Sequence, residues 1–460
     1  MKNPLDKFEK KLNHFYKYEI LWYENNQNSP IQKYWDISEA VINIKHTTTL
    51  YSQPACLKFT IKKPPTTYEM KFDWEESEFV FNQIYENVDK ELGSMVQFKI
   101  NNQNIFQGYV FTTEVKENGD MDVVCYDQMR YLQNKVAFIV GTDGTNGTKK
   151  TQTLSDVFNQ VCTELQVDKF RIEGEARNCN VNLDYKVFID KSYFDVLQWC
   201  LDEMNIYYAK NTPNVVSVDS EKNTVTSSGT LPVRFFIRDE FGTLVLTDIE
   251  YYTQNKIIYN QNFDNRWTGS EVYTKYGASG KENQFIYLGD DSLMTSAKFT
   301  SSIDKDVYNE IQLYSIEEEE KEMVTTDGNG EEVKQKGKQK IGRTRVEAYS
   351  DSLQKKWGTL RYMKEVDPNL KKDQLVELTN LLATVYFQPK RTVSMDSLGI
   401  VGVDAGIVIV LDVNAFNYGS DNIFRRFLWV ESAEHDYGDI HTMRLNFTNP
   451  TKIGKVERLQ

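Results

Sequence analysis

The fold is decided near the carboxyl end of the chain, by the alternating stretch Arg391-Thr-Val-Ser-Met-Asp-Ser-Leu398 and three segments that follow it. These segments are Ile407–Val413, Arg426–Val430 and Thr442–Phe447, and the last two flank the turn residues Tyr437-Gly438-Asp439. Short runs that alternate or are wholly apolar, bounded by turn residues, predict β-strands. Four such strands are too few to close a barrel, so we expect them to pair with strands from earlier in the chain.

Two polar segments with helical character lead into these strands. They are Asp351–Met363 and Lys372–Phe387. Within the first segment, Trp357, Leu360 and Tyr362 are candidate partner-interface residues.

An earlier part of the chain, residues 18–140, has the same strand texture. Leu57, Phe59 and Ile61 alternate with polar residues, and Asn118-Gly119 is a strong signal for a hairpin turn. Gly108 interrupts another strand pattern and predicts a bulge or bend. Short strands with tight turns, and without intervening helices, predict a small antiparallel barrel or sandwich.

Two amphipathic helices follow. Thr153–Leu165 carries one apolar stripe and can be capped by Thr153 or Ser155, and Ser192–Met204 is its counterpart. The residues Asn205–Ala209 predict a strand directly after the second helix. The pattern indicates a small α+β domain.

The segment Glu310–Glu347 is heavily charged. Acids dominate in Glu317–Glu320 and bases in Lys334–Lys338, with Asp327-Gly328-Asn329-Gly330 between them. Opposite charges on the two arms predict a protruding hairpin. A disordered acidic and basic loop is the alternative interpretation.

The first residues have a different pattern. Leu5, Phe8 and Leu12 recur at spacings of three and four among charged residues, which predicts a short amphipathic helix over Pro4–Tyr16. This helix either lies on the surface or docks on a partner, so the three residues are candidate partner-interface residues.

The predicted fold class is β-rich α+β, with two tube-like antiparallel β-barrel domains, a small α+β domain and a charged hairpin insertion. The predicted divisions are an N-terminal amphipathic extension (1–17), a first tube-like β-barrel domain (18–140), the small α+β domain (141–220), the start of the second β-barrel region with polar loops (221–309), the hairpin insertion (310–350), and the helices and closing strands of the second barrel (351–460).

Composition limits the class of partner. The 460 residues carry a net charge of −13, which argues against sequence-specific nucleic-acid binding, because phosphate binding needs a basic surface. The five scattered cysteines lack metal-ligand spacing and indicate a reducing compartment. The longest apolar run, Ile407–Leu411, is far too short for a membrane span, and the first residues lack the apolar core of a signal peptide.

Candidate chemistry is sparse in the sequence. His435, Asp436, Asp439 and His441 suggest a metal cluster, but they flank the predicted turn, where the two histidines can face each other for structural reasons. Cys125, Cys162 and Cys200 fall in apolar strand or helix patterns, where a thiol is usually inert core. We therefore expect no catalytic residue, cofactor or metal, and no enzymatic activity.

Two parts of the chain have a recognisable pattern. One is Val123–Lys135, VVCYDQMRYLQNK, and the other is the succession of Leu353–Leu360, Arg391–Gly399 and His441–Phe447. Together with the order of barrel, α+β domain and second barrel, they resemble the XkdQ/YqbQ family of phage-like elements. These are hub proteins of contractile phage tails and phage-tail-like bacteriocins. The N-terminal extension and the charged hairpin depart from the shorter members, so partners of those segments do not follow from the family.

The resemblance implies a central baseplate protein, assembled in the bacterial cytoplasm as a homotrimer. Each copy would carry two tube-like barrels, so that three chains imitate the six-fold symmetry of the tail tube. The ring would join the tail tube protein above to a trimeric spike protein below. It would also hold the baseplate wedge proteins and surround the tape-measure protein in its lumen.

Two other classes of function stay open at this point. A tail-tip cell-wall hydrolase would need convergent catalytic acids, and a carbohydrate-binding receptor would need exposed aromatic clusters in a groove. The sequence does not distinguish a phage from a bacteriocin particle.

Overall fold

The computed structural model describes the chain over residues 17–23, 34–50, 53–63, 92–141, 151–211, 215–219, 224–228, 235–249, 251–252, 272–276, 282–289, 293–305, 307–326, 332–366, 372–387, 389–413 and 426–448. The predicted N-terminal helix, with Leu5, Phe8 and Leu12, lies outside these residues. The described residues form two compact units, one within 1–298 and 393–451 and the other within 299–392. The six predicted divisions of the chain remain predictions.

The first unit contains most of the strands and two helices. Its strands are β1 (Tyr18–Tyr23), β2 (Tyr34–Asp36), β3 (Val41–Thr49), β4 (Cys56–Ile61), β5 (Met95–Ile100), β6 (Gln103–Val115), β7 (Met121–Tyr126), β8 (Lys135–Val140), β9 (Gln152–Thr153), β10 (Phe170–Ile172), β11 (Asn182–Leu183), β12 (Lys186–Ser192), β13 (Val215–Asp219), β14 (Thr224–Ser228), β15 (Phe235–Asp239), β16 (Leu244–Asp248), β17 (Val272–Tyr276), β18 (Glu282–Gly289), most of β19 (Met294–Ser302) and of β23 (Lys390–Leu398), β24 (Val408–Asp412), β25 (Arg426–Tyr437) and β26 (His441–Thr448). Its helices are α1 (Leu154–Glu164) and α2 (Tyr193–Asn211).

The second unit holds the remaining elements. They are β20 (Glu310–Thr326), β21 (Glu332–Tyr349), α3 (Asp351–Trp357), β22 (Arg361–Glu365) and α4 (Lys372–Tyr386). In the described residues as a whole, strands far outnumber helices and form large, mainly antiparallel sheets, which confirms the predicted fold class. Among these residues, no helix is both long enough and apolar enough to cross a membrane.

The first β region surrounds a single apolar core. Its strands pair antiparallel in the order β3-β4-β7-β6-β5-β1-β2. Leu57, Phe59 and Ile61 are buried in the core, as their alternation predicts. The hairpin across Asn118-Gly119 joins β6 to β7, as predicted.

Gly108 is not the site of the predicted bulge. The register shift in the β6–β7 ladder lies between Val110 and Thr112. At Gly108, a Cβ atom would lie 2.4 Å from the carbonyl oxygen of Tyr126 and equally close to the Phe106 ring. Glycine is therefore required there because a backbone and a ring approach it closely.

The long strand β25 connects the first β region to the second. One edge pairs with β24, where Trp429 faces Val408, and further along it pairs with β3, where Ser432 faces Thr49. The other edge pairs with β26, with a bulge between Val430 and Ser432. One continuous sheet thus contains both regions, and the predicted pairing of the closing strands with earlier strands is confirmed.

The second β region extends from β25 along two paths. One path continues through β24 to β18 and β17, and the other through β26 to β23 and β19. The β18–β24 pair is parallel, and the pairs β17–β18, β24–β25, β25–β26 and β23–β26 are antiparallel. The closing strands also complete the first core, since Tyr437 packs edge-on against Phe98 with ring centroids 5.1 Å apart.

The α+β domain is built around α1 and α2. The Thr153 side chain accepts a hydrogen bond from the Asp156 N–H (3.2 Å), and the Asp156 carboxylate accepts one from the Thr153 N–H (2.9 Å), so the predicted cap is confirmed. The predicted strand Asn205–Ala209 is wrong, because α2 continues to Asn211. Tyr208 lies one helical turn after Met204 and packs on the same core, so tertiary packing overrides the strand preference of this segment.

The second unit confirms one prediction and corrects another. Strands β20 and β21 form the predicted hairpin, paired from Glu310–Tyr349 to Thr326–Glu332. The predicted helix over Asp351–Met363 is wrong in its second half. Gly358, with φ of 75°, ends α3, and the chain continues as β22, parallel to β20.

Candidate assembly surfaces

Three of the four histidines meet where β3, β25 and β26 adjoin. His46 stacks on His435 with ring centroids 6.4 Å apart, and His435 Nδ1 lies 2.9 Å from His441 Nε2. His435 Nε2 lies 2.7 Å from the carbonyl oxygen of Val403. All three rings are buried. Because they lie on β3, β25 and β26, the cluster joins strands from both β regions.

Hydrogen bonds and burial together determine the tautomers of the neutral rings. His435 Nε2 must carry a hydrogen to donate to the Val403 carbonyl, which leaves Nδ1 as the acceptor for the Nε2–H of His441. Burial lowers the pKa of both rings, and repulsion between the two protonated forms adds to the effect on His441, whose pKa falls to about 2. Both rings are therefore neutral, and the predicted face-to-face placement of His435 and His441 is confirmed.

The structure gives the alternative metal interpretation no geometric support. Within the described ranges, no three His, Cys, Asp or Glu side chains are arranged to hold a metal ion. His435 and His441 bind each other, and Asp436 lies within reach of Lys45 (3.2 Å).

The thiols lie in core positions. Cys125, Cys162 and Cys200 are buried, and burial raises the pKa of all three, to about 12 for Cys162. A raised pKa disfavours the thiolate, which is the reactive form. These side chains act as small apolar residues in the packing.

Two carboxyl groups lie where the first β region meets the α+β domain. Asp127 accepts hydrogen bonds from the N–H groups of Ala55 (2.9 Å) and Met129 (3.0 Å). Asp239 accepts a hydrogen bond from the Gly242 N–H (2.9 Å). Burial raises the pKa of both groups, to about 6 for Asp239, and the neighbouring charge of Asp239 adds to the effect on Asp127. Both carboxyl groups stabilise this junction between the first β region and the α+β domain by accepting hydrogen bonds from backbone N–H groups.

An exposed apolar surface lies on the two-stranded sheet of β8 and β12. Ile139 faces Val187 across the sheet, and Ile189 follows on β12 with 74% of the residue exposed. Phe138 and Phe188 occupy the opposite, buried face. The sequence signal for this surface is a strand of consecutive apolar residues, because alternation then leaves some of them exposed.

The predicted interface residues of the second unit lie in different environments. Tyr362 is buried, with its ring packed between Tyr308 and Tyr386. Trp357 and Leu360 are half-buried, on either side of the turn at Gly358. The position of Tyr362 in the core makes it unsuitable for contact with a partner.

The comparisons with known proteins agree with this architecture. The sequence model of a family described as YQBQ-like matches residues 44–448. The chain belongs to the YQBQ-like family. This membership confirms the resemblance carried by Val123–Lys135 and the closing strands.

Solved structures share the fold of this YQBQ-like protein at low identity. The 43 kDa tail protein of prophage MuSo2 from Shewanella oneidensis is 10% identical, with a TM-score of 0.50 over 95% of this chain and 100% of that one. A tail protein from Neisseria meningitidis is 9% identical, with a TM-score of 0.52 over 94% and 97%. A search of curated proteins finds no match. The YQBQ-like chain therefore has a fold seen in phage tail proteins along nearly its whole length.

Proposed function

We propose that this YQBQ-like chain is the hub of a contractile-tail baseplate, in a phage or a phage-tail-like bacteriocin. Three copies form a ring that joins the six-fold tail tube to the three-fold spike and anchors the baseplate wedges. The tape-measure protein occupies the lumen, and the particle is assembled in the bacterial cytoplasm. The role is structural, through packing rather than catalysis.

The observation that carries the proposal is the continuous sheet. Because β25 pairs with β24 and then with β3, one chain holds two strand-rich regions in a fixed relationship. Three chains then offer six such regions to the tube, and the same three chains offer a three-fold surface to the spike. Contacts around the ring are heterologous, so each copy uses different surfaces for its two neighbours.

Specific surfaces are assigned to partners within this proposal. Trp357 and Leu360 contact a neighbouring protein, since they are accessible at the turn after α3. Leu5, Phe8 and Leu12, outside the described residues, form a second contact.

Mass determination in solution tests the proposal. The purified chain is mixed with the trimeric spike protein encoded beside it, and the masses are measured by light scattering during size-exclusion chromatography. A complex containing three hub chains and one spike trimer is expected. A chain that stays monomeric and elutes apart from the spike would contradict the hub assignment.

A further inference from the structure

The charged hairpin of β20 and β21 has two arms of opposite sign. In the stretch Glu317–Glu322, five glutamates and one lysine give a net charge of −4, and in 333–341 the four lysines at alternate positions give +4. The register places Glu318 opposite Lys340, Glu320 opposite Lys338 and Glu322 opposite Lys336. Acidic residues at alternate register positions of β20 therefore pair with basic residues at alternate positions of β21.

Both outer edges of this hairpin extend beyond the sheet that holds its base. Strand β22 pairs with β20 only over Glu310–Tyr314. In the part of the chain that the structure describes, no third strand pairs with Glu317–Thr326 or with Glu332–Ile341. Such edges present backbone donors and acceptors that can pair with another strand.

Charged side chains on an edge strand commonly prevent two copies of a protein from pairing along that edge. That protection works when the edges that meet carry the same sign. Here, β20 repels a second β20 and β21 repels a second β21, but β20 of one copy attracts β21 of another. The charge pattern therefore excludes symmetric edge pairing and selects the unlike pairing.

We propose that the outer edge of β20 in one copy pairs with the outer edge of β21 in a second copy of this chain, which continues the sheet from copy to copy. This inference rests on the proposed hub function and names one of its contacts between copies. Because the two edges differ, the contact is heterologous, and a heterologous contact closes into a ring when its rotation permits. In a closed ring of three copies, every acidic β20 edge is paired with a basic β21 edge.

The contact depends on ionic strength. Charges on solvent-exposed strands are screened over about 8 Å at physiological salt and over about 3 Å at 1 M. Self-association of the purified chain, followed by sedimentation equilibrium, is therefore expected to weaken at least ~10-fold between about 0.05 and 0.5 M NaCl.

Cross-linking in a mixture of isotope-labelled and unlabelled chains locates the contact. The chain labelled with ¹⁵N is mixed with unlabelled chain and treated with a carbodiimide, which joins carboxylates to lysine amines. Links between the Glu317–Glu322 peptide and the 333–341 peptide are expected with one label on each side. If these links carry only one label throughout, they lie within single copies and the inference is overturned.

Charge exchange supplies the matched variants. The variant E318K/E320K/E322K is expected to lose self-association at least ~10-fold, because both of its edges are then basic. Adding K336E/K338E/K340E restores one acidic and one basic edge and is expected to restore self-association. The control E114K/E117K/E434K changes the net charge equally at exposed positions elsewhere and is expected to associate like the natural chain.

The outcomes separate this inference from the hub function. If the triple variant associates like the natural chain, or the exchanged variant fails to recover, the hairpin pairing is wrong. If the natural chain stays monomeric at every concentration tested, the pairing is also wrong. In each case, a complex of three chains with the spike would leave the hub function standing.

Discussion

His46 and His435 face each other directly on neighbouring strands, β3 and β25, with ring centroids 6.4 Å apart. The two residues come from opposite ends of the chain. Their neighbour His441 is hydrogen-bonded to His435 across β25 and β26. The first β region therefore depends on strands that lie much later in the chain, and the cluster is the point at which this dependence can be tested.

Replacement of His435 by alanine is expected to destabilise the first unit by about 3 kcal/mol. The change leaves a cavity and removes the hydrogen bonds to the Val403 carbonyl and to His441. Urea unfolding measures the effect. Glu434→Ala, an exposed position on the same strand, is the control and is expected to change stability by less than about 0.5 kcal/mol. Equal stability of the two variants would show that the cluster does not contribute.

The contribution of the histidine cluster to the stability of the first unit is expected to decrease as the pH falls below about 6.5. The pKa values of His435 and His441 are lowered in the folded chain, so only the unfolded chain takes up protons there as the pH falls. The free energy of unfolding then decreases by up to ~1.4 kcal/mol per pH unit for each histidine. The raised pKa values of Asp239, about 6, and of Asp127 act in the opposite direction, because the folded forms of both carboxyl groups take up their protons first.

Urea unfolding at several pH values between about 7.5 and 5 checks this dependence. The variant His441→Gln removes one titrating ring and is expected to show a shallower slope than the natural chain. An identical slope in the two proteins would contradict the assignment of the titration to this cluster.

Replacement of Asp127 by alanine is expected to lower the free energy of unfolding of the first unit by about 2 kcal/mol. The backbone N–H groups of Ala55 and Met129 both lose their acceptor, and the first of them holds the chain next to β4. Thermal unfolding by circular dichroism measures the loss. Glu117→Ala, in the exposed turn between β6 and β7, serves as the control, and an equal melting temperature for both variants would refute the role of Asp127.

Gly108→Ala is expected to destabilise the first β region by more than about 2 kcal/mol. The new Cβ would lie 2.4 Å from the Tyr126 carbonyl oxygen, and a strand backbone paired on both sides moves little. Gly342→Ala is the matched control on strand β21, where no atom lies within 4 Å of the added Cβ. Melting temperatures that are unchanged in both variants would show that the strand backbone at Gly108 shifts to accommodate the added Cβ.

Local chemistry in the sequence was enough to predict much of this fold. The cap at Thr153, the turn at Asn118-Gly119 and the pairing of an acidic with a basic arm each depend on residues close in the chain. Their physical causes, which are hydrogen bonds to the nearest backbone groups and alternation on a strand, act over a few positions.

The failures have causes that act over long distances in the sequence. Tyr208 continues a helix because its ring packs on a core formed by remote segments, and Tyr362 is buried because Tyr308 and Tyr386 cover it. The exact pairing of β25 with β3 also depends on strands from opposite ends of the chain. Local preference does not determine such contacts, so the sequence indicated that remote pairing exists without giving its register.

The most direct test of the hub assignment is cryo-electron microscopy of tails assembled with this chain. We predict three copies in one ring between tube and spike, with the two β regions of each copy in neighbouring tube-like positions. Six copies in that ring, or a location of the chain outside it, would contradict the account.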